Sequence, residues 1–222
     1  MLYSTPVTLP LPLRNRLAEL ILDAFHDPGA RAGLEALAAI CADPRARNGG
    51  RALPQRFPTD LFEARGGEMQ IRSGYRAHAG ELGDRVRRGW DLVRQEPLVP
   101  EEAPLDQVLR TSARLFDAGL YFEVHEHLEP HWLRAEGGER EVLQGLIQTA
   151  VAFQHLANGN VKGARLLLRD GIAKLGGRRL PGLALDGFTA ALRRCAERVD
   201  ALGTSGTERF DWAGVPRFPL KD

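Results

Sequence analysis

From Leu105 onward, apolar residues recur every three or four positions in stretches that stop at glycine or asparagine. That rhythm restricts the fold more than any other feature of the chain, because a helix brings every third and fourth residue onto one face. Val108, Leu109, Ser112, Leu115 and Phe116 form one stripe, and Gly119 is placed to cap it. A second helix is expected from Tyr121 to about Leu133, and a third from Arg140 to Ala157, closed by Asn158-Gly159. Asn160 can cap a fourth over Val161 to Leu175, which Gly176-Gly177 would end. A fifth begins after Asp186 and turns Phe188, Leu192, Cys195 and Val199 inward, leaving Thr204 to Asp222 as extended chain over the bundle.

The N-terminal part carries the same signals more weakly. Leu17, Leu20, Ile21 and Phe25 have helical spacing, which Asp27-Pro28-Gly29 interrupts, and Leu34, Leu37 and Cys41 continue a second short helix. Arginines, prolines and Gly49-Gly50 mark Ala42 to Pro58 as a loop. A helix resumes near Gly74 with Tyr75, Leu82, Val86, Trp90 and Val93 on one face. Gln95 to Pro104, rich in proline and glutamate, reads as a linker. No alternating period of useful length suggests a strand. The expected fold is all-α: a mainly helical N-terminal region over 1–97 and a multi-helical bundle over 104–222.

Composition narrows the function classes. Thirty basic residues stand against 29 acidic ones, and the arginines are interspersed with carboxylates. A balanced chain without a recognition motif is not expected to bind nucleic acid specifically. No P-loop, dinucleotide fingerprint or serine elbow is present. Cys41 and Cys195 are far apart and lack metal spacing, and Cys195, at an apolar position of a helical pattern, is expected to be a buried free thiol. Met1 to Leu13 has no long apolar run, so neither a membrane span nor a secretory signal is read there, and the expected compartment is the cytoplasm.

The second helix of the bundle breaks the apolar pattern where it matters. Each residue advances ~100° around the axis. With His125 as reference, Tyr121, Leu128 and Trp132 fall on one side and Phe122 and Leu133 on the other, with Glu129 between and Glu126 at the edge. Glu123, His127 and His131 fall opposite. His125 and Glu129 are thereby expected in the middle of the apolar face, largely buried and joined to each other or to one shared group, because an unpartnered buried carboxylate costs several kcal/mol. In the third helix, Glu141, Gln144, Gln148 and His155 run opposite the apolar face; they face either solvent or His125 and Glu129 across a cleft.

The run from Phe116 through Trp132, FDAGLYFEVHEHLEPHW, resembles the signature of domain of unknown function family 309, and Gln144 to Gln148 and Gly159-Asn160 with Gly163-Ala164 resemble its next two helices. The resemblance covers roughly Leu105 to Leu175. It implies a small all-α bundle of bacterial or archaeal type whose activity is not established, and it singles out His125, Glu126, Glu129, Trp132, Gln148 and His155. Pro130, His127 and His131 depart from that pattern.

Three uses of the cluster stay open. The first is a binding module for a small ligand or a protein partner, with Tyr121, Phe122 and Trp132 as apolar walls. The second is a divalent-metal protein or metal-dependent hydrolase using His125, Glu126 and Glu129, with His125 and Glu129 as the core ligands. The third is a structural His–Glu lock between helices.

Overall fold

The computed structural model describes residues 8–43, 52–65, 68–202 and 207–221. Among these the chain is all-α apart from one hairpin, and it divides into two compact units whose boundary along the chain falls between Ala103 and Pro104. No helix of the described residues is long and apolar enough to cross a membrane.

In the first unit, α1 (Leu11–Asp23) and α2 (Pro28–Ala42) are separated by a turn, and α3 (Ala79–Val93) packs against both. Asp27 does not end α1. It starts α2: its carboxylate accepts from the Gly29 N–H at 2.7 Å, and Pro28 follows at the position where a missing N–H costs nothing. That bond, reinforced by Arg56, holds the Asp27 carboxyl below its ordinary value. Leu17, Ile21, Leu34, Leu37, Leu82 and Val86 form the core.

Between α2 and α3 lies an antiparallel hairpin of β1 (Phe62–Arg65) and β2 (Glu68–Ile71), in register Phe62↔Ile71 and Ala64↔Met69. The sequence pattern did not show it, because four residues are too few to establish a period of two. A 3-10 segment, Ser73–His78, then leads into α3, so the helix proper starts five residues after Gly74. Residues 44–51 of the expected loop lie outside the described residues. The expected linker is anchored at its start: Arg31 donates to the Glu96 carbonyl and Val99 N–H to the Phe25 carbonyl.

The second unit has the five expected helices: α4 (Leu105–Asp117), α5 (Tyr121–Arg134), α6 (Gly137–Ala157), α7 (Val161–Leu175) and α8 (Leu185–Ala201). Gly119 closes α4 at φ 71°, a left-handed conformation that a side chain would strain. The Asn160 side chain accepts from the Gly163 N–H and caps α7. Helices α6 and α7 approach closely at two glycines: a methyl on Gly145 would meet Leu175 Cγ at 2.8 Å, and one on Gly171 would meet Thr149 Oγ1 at 2.8 Å.

An aromatic cluster fills the core. Phe116 lies edge-on to Tyr121, Phe153, Phe188 and Phe218, with centroids 5.2, 5.8, 6.2 and 5.8 Å away. Phe218 comes from the C-terminal segment. Its N–H donates to Asp117 Oδ1, and a Leu183–Leu220 bridge fixes the chain beside α8. The tail therefore contributes to the core and carries short 3-10 turns at Thr207–Arg209 and Trp212–Gly214; residues 204–206 and 222 are outside the described set.

A candidate metal centre on the outer flank of α5

Helix α5 packs against α4 and α6 and buries Tyr121, Phe122, Glu123, Val124 and Leu128. Val124 and Leu128 are fully enclosed. The centre of the buried arc is therefore Val124, one residue and ~100° away from His125. This corrects the expected orientation. Spacing sets Tyr121 and Leu128 against Phe122 and Leu133, but Leu133 is 60% exposed and the true stripe is Tyr121, Val124 and Leu128.

The rotation carries His125 and Glu129 out of the core to its solvent flank. Their side chains are 27% and 44% exposed, and that of Glu126 is 35% exposed. His125 and Glu129 are thus half-buried rather than enclosed. On the other flank Glu123, in the first turn, is fully buried. The positive end of the helix favours a carboxylate at that place. His131 is also drawn inward, and burial followed by the nearby Arg134 charge pushes its pKa down. The pairing of Val124 with Leu128 one turn later was the signal in the sequence that could have located this face.

The outer flank brings together three groups. His125 Nδ1 lies 3.0 Å from Glu126 Oε1, and His125 Nε2 lies 3.8 Å from Glu129 Oε1. One ligand atom from each of His125, Glu126 and Glu129 can be chosen so that all three lie within 4.8 Å of one another. The first is an ion-pair distance between neighbouring residues. The second is too long for a hydrogen bond, and it is close to the ~3.4 Å separating two ligand atoms of a tetrahedral ion bound at ~2.1 Å. Phe122 packs beside the imidazole, ring centroids 6.0 Å apart, and limits its swing.

Pro130 lies inside α5 without ending it. Its ring leaves the Glu126 carbonyl without a helical donor. Pro130 itself is exposed, so the interruption is on the side open to solvent.

The remaining expected site residues are placed elsewhere or differently. Trp132 lies under Arg140, whose guanidinium carbon sits 4.5 Å from the ring centroid. The same Arg140 donates to the carbonyls of Trp132, Leu133 and Ala135 at 3.0, 3.2 and 3.3 Å, closing the C-terminal end of α5. Trp132 thus belongs to a helix-end clamp, which helical spacing within α5 does not reveal. Gln148 is half-buried on α6, and its Oε1 is enclosed with no hydrogen-bond partner among the described residues. His155 lies seven residues further along α6, on the order of 10 Å, and its Nδ1 is 3.0 Å from Asn160 Nδ2 at the α6–α7 corner. Glu141 of the same stripe turns to α7 and pairs with Lys174 at 3.1 Å.

The model of the family described as Domain of unknown function (DUF309) matches residues 109–167. This is the family whose signature the α5 sequence resembles, and the match spans a minority of the chain, from α4 into α7. No curated protein and no solved structure matches the chain.

Proposed function

We propose that the C-terminal bundle binds one first-row divalent metal ion, Zn²⁺ or Mn²⁺ in class, through His125, Glu126 and Glu129. The observation that carries this reading is the convergence of one imidazole and two carboxylates within 4.8 Å on a single helix flank. A nitrogen with two carboxylate oxygens suits ions between the oxygen-preferring and sulfur-preferring extremes. Partial exposure supports it as well: ligands at 27–44% exposure can bind an ion and leave its other positions to water or a small oxygen-bearing ligand.

A cleft walled by aromatics is the less favoured reading, because Tyr121 is absorbed into the core cluster and Trp132 into the Arg140 clamp. The small ligand of such a protein would be held chiefly by the ion.

Thermal melts of untagged protein with and without added Zn²⁺ or Mn²⁺ test the proposal. At metal well above Kd, wild type should melt several degrees higher, since ligand at ~100 Kd adds about 2.7 kcal/mol to a one-site protein. His125→Ala and Glu129→Gln should melt near the metal-free wild type and gain nothing from metal. An equal gain in wild type and both variants would overturn the assignment and direct attention to His127 and His131.

A further inference from the structure

The N-terminal unit contains a cavity of about 270 Å³, bounded by the hairpin, the end of α2 and the start of α3. Phe62, Met69 and Ile71 share one face of the hairpin, since Phe62 pairs with Ile71 and Met69 lies two residues before it. With Ile40, Cys41, Ala79 and Leu82 they make the walls. The polar groups in the lining are Gln70 and Arg76. Gln70 already donates to Glu68. Arg76 is exposed, and its guanidinium has no partner among the described residues.

Open space between apolar walls forfeits the contacts that packing would supply. A space of this kind with few polar groups at its edge has the composition of small-molecule sites. The cleft is open to solvent on one side and has room for an alkyl chain. A lone guanidinium at the lip selects for a carboxylate, which it can hold through paired N–H donors.

We infer that this cavity binds a medium-chain carboxylic acid, its alkyl chain among Phe62, Met69, Ile71 and Leu82 and its carboxylate on Arg76. The cation sets the polarity of the ligand, and the apolar walls set its alkyl character.

Octanoate is the probe, with 1-octanol and octylamine as matched controls, added to the full-length protein. Cys41 lies in the wall and reports occupancy through its alkylation by N-ethylmaleimide, read by peptide mass spectrometry at about pH 9 over a time course long enough for a thiol that burial keeps mostly protonated there. Octanoate should slow Cys41 alkylation saturably and bind at least ~10-fold tighter than octanol. Arg76→Gln should remove that preference and leave octanol binding unchanged. Met69→Trp, in the wall that β2 supplies, should fill the space and abolish protection by both, which separates this cavity from the neighbouring cleft that Cys41 also borders. Equal protection by acid, alcohol and amine, or an octanoate affinity that Arg76→Gln does not change, would overturn the inference. So would failure of octanoate to protect Cys41 in wild type.

Discussion

The two units solve the same problem differently. The C-terminal unit closes its core: Phe116, Tyr121, Phe153, Phe188 and Phe218 meet edge to face, and two glycines let α6 and α7 approach until no side chain would fit between them. His125, Glu126 and Glu129 lie outside that core, on the outer flank of α5, while Glu123 is enclosed. The N-terminal unit has a well-buried helical layer, but its hairpin leaves space beneath. The proposed metal ligands therefore lie outside a closed core in one unit, and the proposed ligand cleft lies beside the hairpin in the other.

Truncation at the centre of each region should expose this difference most strongly. Phe116→Ala removes the ring shared by four aromatic contacts and should cost about 3–5 kcal/mol in urea denaturation. Met69→Ala, half-exposed beside existing space, should cost less than about 1 kcal/mol. Equal losses would remove the distinction between closed and open packing.

The glycine crossing should come next. Gly171→Val forces a branched side chain against Thr149 and the Gly145 carbonyl, and overpacking of that kind costs about 1–3 kcal/mol. A variant as stable as wild type would show that α6 and α7 separate without penalty.

Alkaline pH offers a smaller lever on the N-terminal unit. Burial pushes the Cys41 thiol from 9.0 up to about 11. For an acid whose folded pKa exceeds its unfolded value, the folded state holds the proton longer. The associated stability is complete below pH ~9 and is lost as pH rises to ~11, at most about 2–3 kcal/mol. Cys41→Ser should flatten this part of the stability profile. An unchanged slope in the variant would assign the alkaline loss to other groups.

The smallest effect is expected at the α5 flank without metal. Glu129→Gln should change stability by less than about 0.5 kcal/mol, because a half-exposed ion pair contributes little. A loss of several kcal/mol would make the cluster a structural lock.

The helices of the C-terminal unit were legible because Gly119, Asn160 and the glycines after Leu175 act locally, through φ and capping bonds that need no tertiary partner. The hairpin was not, since its strands are set by what they pack on. At the site, the grouping of His125, Glu126 and Glu129 followed from helical spacing alone, whereas their exposure did not. Exposure depended on which stripe of α5 wins the contact with α4 and α6, and a shift of one residue, to Val124, turned the cluster outward. Trp132 was misread for a related reason: Arg140 comes from the next helix and claims the indole face and the end of α5 together.

The central claim is that His125, Glu126 and Glu129 hold one divalent ion, and equilibrium dialysis against Zn²⁺ or Mn²⁺ with elemental analysis measures it most directly. Untagged wild type should retain about one ion per chain, as expected for a single three-ligand site, and His125→Ala and Glu129→Gln should each retain far less while remaining folded by circular dichroism. Wild type that retains no ion, or variants that retain as much as wild type, would contradict it.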